Sequence, residues 1–373
     1  MRLIYLKRKF SACMVAYKNL AVTLSFKPAR IISLSFWQST GIRIMPISYA
    51  HCMNNQPSTK NQTSEFYDLS ERLLNSGDAY WGNLGYWQAG DDYSTACEGL
   101  AHQLANAVNL NQDSRILDVG FGCGDQLLLW LKDYNIQFLC GINYSVSQTV
   151  LAKQRLKQFE LRQFELSQSQ ANTDGTNLGS SDNIFQGDVA DLKNGLAVVC
   201  SEANNDINTI LALDCAYHFP SRKNFFDDSF KVLKSSAKTN QDNNGIKAST
   251  ACIGLTDIVL ADAPLSWGRR MLLNIMLSAS RIPKDNIVTL AEYQGQLQQA
   301  GFDCIASEDI SEFVFEPFGN WLKSSKDAVH KLRGHRSAGL KYRVTAAFLA
   351  WAYRNEVLRY IVISARISSP VSE

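Results

Sequence analysis

Three stretches of the chain carry residue types that could do chemistry. The first is Asp118-Val-Gly120-Phe-Gly122-Cys-Gly124, an acid followed by three glycines at alternate positions. Glycines in a strand-to-helix turn let the backbone reverse sharply and approach a ligand at the carboxyl edge of a sheet. A dinucleotide fingerprint needs G-x-G-x-x-G, and counting from Gly120 puts Asp125 in its last position. A carboxylate there would repel a pyrophosphate, whereas an acid just before the first glycine suits a cationic ligand. The second stretch pairs Gly141-Ile-Asn143-Tyr144-Ser145-Val-Ser-Gln148 with Gln186-Gly187-Asp188-Val189. An amide can both accept from and donate to a diol, and a carboxylate can accept from an exocyclic amine. The third is Asp214-Cys-Ala-Tyr217-His218-Phe-Pro220. A histidine directly after an apolar run either packs or serves as a base near neutral pH, with Tyr217 behind it.

The elements that must position these residues are legible as periodicity. Ala96, Leu100, Leu104 and Val108 form one stripe of an amphipathic helix. Arg115-Ile-Leu-Asp-Val-Gly reads as a buried parallel strand, and a helix resumes over 127–131. Strands are then expected over 137–142, 183–186, 209–213 and 250–255, with a helix over 147–161. A helix over 290–300, stopped at Gly301, precedes strands over 302–306 and 358–365. Strands alternating with helices imply an α/β fold, a mostly parallel sheet doubly wound with helices on both faces. The polar stretches 165–182 and 235–249 read as solvated surface loops.

With these motifs in this order, residues 64–366 resemble the class I S-adenosylmethionine-dependent methyltransferases. The likeness is to their small-molecule branch of tocopherol, quinone, sterol and cyclopropane-synthase-like enzymes. The resemblance implies a Rossmann-like, seven-stranded sheet with an antiparallel final hairpin and helical lids. It places Asp118, Gly120, Gly122 and Gly124 under the methionine and ribose of S-adenosyl-L-methionine. Asn143 stands where the family usually has a ribose-binding acid, and Gln148 where the cyclopropane-synthase-like branch has a ribose-binding glutamine, with Tyr144 and Ser145 between them. Gly187, Asp188 and Val189 resemble the adenine motif, and Asp214 ends the strand that faces the methyl group. His218 is then the expected catalytic base and Tyr217 its understudy. Cyclopropane synthases carry a glutamate before this histidine, so Tyr217 favours plain methyl transfer over ring closure. A second departure is that Val232-Leu-Lys234 leads into the polar stretch, not into Pro-Gly-Gly.

The resemblance also divides the chain into a lid and helix over 61–110, a donor-binding core over 111–262, and lid helices with the last strands over 263–366. Aromatics in Phe66-Tyr67-Asp68 and in Tyr80-Trp81-Gly82-Asn-Leu-Gly85-Tyr86-Trp87 resemble a lid, and either box a sulfonium by cation–π attraction or form core. The apolar bias of 263–276 points to a lipophilic acceptor. The rival readings are a nucleotide-dependent oxidoreductase, disfavoured by Asp125, and a binding protein that keeps the fold without turnover.

A hydrophobic fraction of 46% excludes disorder for the bulk of the 373 residues. Residues 1–60 hold nine Lys or Arg and no Asp or Glu, so the remainder is near −7 despite a formal charge of +2. A body of that sign argues against a nucleic-acid partner. The expected partner is a small-molecule acceptor, with transient contact at a membrane surface if that acceptor is lipophilic. Nine cysteines lack metal-ligand spacing, so they read as buried hydrophobes in a reducing compartment and no metal site is expected. Residues 1–60 read as a basic leader or a start-codon extension, with Met45 as the alternative first residue. The expected location is cytoplasmic, or mitochondrial if 1–44 is a leader. Deleting residues 1–44 is therefore expected to leave S-adenosylhomocysteine production per folded molecule unchanged. A large loss of turnover would mean that the segment covers the active site.

Overall fold

The computed structural model describes residues 74–169, 181–189, 207–243, 251–326 and 336–368, with Ala328 and His330. Residues 62–373 form one compact unit. The basic leader and the Phe66-Tyr67-Asp68 motif lie outside the described residues.

The glycine motif is framed by α1 (Tyr93–Val108), β1 (Arg115–Val119) and α2 (Asp125–Asp133). Next come β2 (Phe138–Asn143), α3 (Val146–Ser169), β3 (Ile184–Gln186), β4 (Thr209–Leu213), α4 (Arg222–Asn243) and β5 (Cys252–Leu260). The chain closes with α5 (Trp267–Ala279), α6 (Leu290–Ala300), β6 (Asp303–Asp309), α7 (Ser311–Ser324), α8 (Arg336–Arg354) and β7 (Leu358–Arg366). The strands form a seven-stranded sheet in the order β3-β2-β1-β4-β5-β7-β6, parallel except for β7, which is antiparallel to both neighbours. The strand order reverses between β1 and β4, and ligands bind at the carboxyl edge beside such a reversal.

Both faces of the sheet are covered, and the period-2 geometry of a strand sorts the side chains between them. Leu358, Tyr360 and Val362 of β7 join the core with α1, α7 and α8, while Ile361, Ile363 and Ala365 join the core with α4 and α6. Helix ends follow local chemistry. Asp92 caps α1 by accepting from the Thr95 amide, and Thr289 with Glu292 forms a capping box on α6.

The structure departs from the sequence expectation at three elements. Helix α3 continues to Ser169 and α4 to Asn243, where polar composition suggested loops beginning at 165 and 235. Gln, Glu and Lys are good helix formers, and a helix without an apolar stripe looks like a loop by composition alone. Strand β5 extends past the expected 255 to Leu260, and the Asp257 charge within it is buried and paired. The cysteines divide: Cys97, Cys123, Cys140 and Cys252 are buried, whereas Cys304 is exposed beside a register shift in β6.

The Asp257 carboxylate accepts from Arg222 at 3.0 Å and from the Tyr293 hydroxyl at 3.0 Å, and the Arg222 guanidinium lies 3.9 Å from the Tyr293 ring centre. Burial pushes the Asp257 carboxyl up, and the Arg222 charge opposes that shift. Arg222 is wholly enclosed, and its Nε and Nη2 have no acceptor among the described residues, so the pair leaves little slack. Asp257→Ala, which strands a buried guanidinium, should cost about 3–5 kcal/mol, read as a lowered denaturant midpoint. A loss below about 1 kcal/mol would show that Arg222 finds water or another partner.

Candidate active site

The carboxyl ends of β1, β2, β3 and β4 bring all three motif stretches to one edge of the sheet. Parallel register pairs Asp118 with Gly141 and with Leu211, and Asn143 with Gln186. Residues separated by about a hundred positions thus share one rim.

The three motif glycines serve different ends. A Cβ on Gly120 would sit 2.7 Å from the Cys215 sulfur, and one on Gly124 would sit 2.9 Å from the Ala152 methyl group, so both are there for packing within the fold. A Cβ on Gly122, at φ +57°, would meet nothing within 4 Å. The loop therefore keeps one open cradle, and its backbone takes a left-handed conformation that glycine tolerates. The Gly122 amide donates to Asn143 Oδ1 at 3.4 Å, and Asn143 Nδ2 donates to Gln148 Oε1 at 3.1 Å. Asn143 and Gln148, both buried, thus meet each other at the loop. Ser145 caps α3 by accepting from the Gln148 amide at 3.3 Å. Tyr144 is exposed, with its carbonyl held by Gln186 Nε2 at 3.1 Å. Beyond β3, Gly187 donates to the Asn143 carbonyl at 3.0 Å, Asp188 is exposed, and Val189 packs on the core.

The two acids of the glycine loop are both engaged by partners within the fold. Asp118 is fully buried, and its oxygens accept from Gln126 Nε2 at 2.8 Å and Trp130 Nε1 at 2.6 Å. Burial pushes its carboxyl up to about 7. Its side chain therefore pins α2 to β1 from inside the fold and offers no accessible atom to a ligand. Asp125 carries a bidentate pair with Arg155 at 2.7 Å and accepts from the Tyr80 amide at 3.1 Å. Arg155 also donates to the carbonyls of Asp78 and Cys123. Arg155 was not singled out from the sequence, since one arginine on a long polar helix carries no signal.

At the end of β4, Asp214 sits at φ +52° with its carboxylate enclosed. It accepts from the Tyr360 hydroxyl at 2.6 Å, the Tyr217 hydroxyl at 2.9 Å and the Leu84 amide at 2.8 Å. Burial raises its carboxyl to about 7, against the pull of those donors. Tyr217 is thereby committed: burial and the Asp214 charge push its phenol well up, so it stays protonated and donates. That answers the sequence expectation of Tyr217 as a reserve base, because its hydroxyl proton already belongs to Asp214. Of the lid aromatics, Trp81 and Trp87 are core. Trp87 packs against Tyr93, Phe318 and Trp321, while Tyr80, beside Arg155, and Tyr86, stacked on Phe313, are half-buried.

His218 closes the short turn Ala216–His218. Burial, and next the Lys341 charge on α8, hold its imidazole down at about 4, while a ring N–H donates to the Arg281 carbonyl after α5. At neutral pH the ring is uncharged, one nitrogen is a fixed donor, and the other is left with the acceptor lone pair.

Two curated relatives carry the argument beyond geometry. The erythromycin 3''-O-methyltransferase of Saccharopolyspora erythraea is 27% identical over 256 residues, spanning 67% of this chain and 71% of the relative. The 27-O-demethylrifamycin SV methyltransferase of Amycolatopsis mediterranei is 24% identical over 326 residues, 83% of this chain and 97% of that one. The chain is an S-adenosylmethionine-dependent methyltransferase, similar to the class I small-molecule branch. A solved mycolic acid cyclopropane synthase shares the fold, with a TM-score of 0.55 and 13% identity over 80% of this chain and 95% of that one. No family model matches. These relatives favour the methyltransferase reading over the oxidoreductase and the binding-protein alternatives.

The open cradle over Gly122, beside the Asn143 amide, fits a methyltransferase's donor, S-adenosylmethionine, approaching the backbone. Gly122→Val should fill that space and abolish affinity for S-adenosylhomocysteine by calorimetry, with about 1–3 kcal/mol of added backbone strain. Wild-type affinity in a folded variant would remove the loop from the donor site.

Proposed function

We propose that this methyltransferase methylates a hydroxyl oxygen of a bulky, largely apolar small molecule, with His218 as the base. The observation that carries the reading is the state of His218: an imidazole held neutral by its surroundings, with one nitrogen tied to the Arg281 carbonyl. Both curated relatives act on bulky natural products, and the name of the first specifies an oxygen acceptor. Trp267 and Met271, in the first half of α5, are exposed at 79% and 46%, which supports a lipophilic acceptor. Among the described residues no helix is long and apolar enough to cross a membrane, so contact with a membrane would be at its surface.

When bound, S-adenosylmethionine supplies an electrophilic methyl carbon on a good leaving group. The protein's share is then alignment, exclusion of water and removal of one proton. In this reading Gly122, Asn143 and Gln148 hold the methionine and ribose side, with Tyr144, Ser145 and the Gly187–Val189 stretch around the adenine. Asp118 and Asp214 act from within the fold, by fixing α2 and the segment around Leu84. His218 accepts the hydroxyl proton as the oxygen attacks, and Tyr217 holds Asp214.

The test is S-adenosylhomocysteine production with hydroxylated macrocycles, beginning with 27-O-demethylrifamycin SV. His218→Ala should lower the single-turnover rate by about 10²–10⁴-fold with donor affinity unchanged. If the ring merely packs, the variant loses about 1–3 kcal/mol of stability and keeps its rate per folded molecule. The pH profile has a definite sign. A base must be neutral, so the wild-type rate should hold from pH 8 down past the ordinary histidine value of 6.5 and fall only as pH approaches about 4. A loss centred near 6.5 would mean that a solvated histidine carries the proton.

A further inference from the structure

Asn286 is buried in the turn Lys284–Asn286, 68 residues beyond His218 in sequence and directly beneath its backbone. Its carboxamide Nδ2 donates to the Phe219 carbonyl at 2.6 Å and to the Tyr217 carbonyl at 3.2 Å, one on each side of His218. Its Oδ1 accepts from the Arg222 amide at 3.0 Å. The same side chain thus holds the peptide unit that enters His218, the one that leaves Phe219, and the first residue of α4. Five residues earlier, the Arg281 carbonyl takes the ring N–H. The segment from Arg281 to Asn286 therefore grips His218 twice, once at the ring and once at the backbone.

The other end of this clamp is fixed as well. Arg222 is anchored by Asp257, and Asp257 by Tyr293, so Asn286 hangs from a buried network and not from a loose turn. A carboxamide is needed because the task combines two donors and one acceptor in one plane. Aspartate has the shape and lacks the donors.

We infer that Asn286 is a positioning residue for His218, setting the place and tautomer of the imidazole through the carbonyls on either side of it. The inference rests on His218 being the base, as proposed above, for its catalytic meaning, though its geometry does not. Charged and titratable groups around the ring are Lys341 of α8, Arg281 after α5, and Tyr217 beside it at 4.5 Å between ring centres. Freed from the clamp, the ring would gain water and lose the enclosure that disfavours its protonation.

The experiment is a side-chain NMR titration of the full-length protein labelled on histidine nitrogen, with the His218 signals assigned by their loss in His218→Ala. In wild type the ring should remain a single neutral tautomer until pH approaches about 4. Asn286→Asp, and Asn286→Ser as the variant that adds no charge, should move the midpoint up toward 6.5 and mix the tautomers. Affinity for S-adenosylhomocysteine should stay unchanged. A His218 titration identical to wild type in folded Asn286→Ser would overturn the inference. Should neither variant fold, the wild-type Asn286 carboxamide protons decide: they should be protected from solvent exchange, and free exchange would overturn it. If the titration moves as expected while His218→Ala keeps full activity, the positioning stands and the proposed base is wrong.

Discussion

The carboxylate of Asp214 is a place where several parts of this molecule meet. It is half-buried at the end of β4, and its donors come from the segment before α1 (Leu84), from the turn leading to His218 (Tyr217) and from β7 (Tyr360). A carboxylate in such an enclosure is costly unless its lone pairs are used, and here donors from three elements use them. That requirement fixes the lid against the sheet and turns Tyr217 away from chemistry. It also makes the left-handed backbone at Asp214 a condition of the arrangement, since that sharp turn leads into the His218 segment. Remove this anion and the groups at the rim lose a common reference point.

The same economy of buried polarity appears on each side of it. Asp118 fastens α2 to β1, Asp125 fastens the lid and α3 to the glycine loop through Arg155, and Asp257 fastens α4 and α6 to β5 through Arg222 and Tyr293. A sheet edge is built from loops, and loops have few backbone ladders to hold them. Side-chain carboxylates with two or more directional partners supply that stiffness. In the proposed donor site they do so from behind, leaving backbone and amide groups at the front.

Helix α8 contributes the Lys341 charge near His218, and the segment after α5 contributes the Arg281 carbonyl. With His218 as the proposed base, the surroundings of the acceptor would come from the part of the chain least like a bare doubly wound sheet. This division is physically reasonable for a methyl transferase: the donor is constant and is met by the sheet edge, whereas the acceptor varies and is met by added helices.

The sequence by itself determined the fold class, the order of strands and the loops that would meet at one edge. These depend on local periodicity, and the run from Arg115 through the three glycines to Leu131 is strand, turn and helix wherever it stands. It also pointed to His218, because a histidine after a strand in this position is a local pattern. Tertiary structure alone decided what each acid does. Asp118 and Asp125 sit seven residues apart in one motif, yet their partners are Trp130 and Gln126 for one and Arg155 with a lid amide for the other. The difference between Gly122 and its two neighbouring glycines was equally invisible, since it depends on Cys215 and Ala152 arriving from β4 and α3. Asn286 gave no sign in sequence at all. Its role comes from two carbonyls 69 and 67 residues away, and hydrogen bonds between elements leave no periodicity to read.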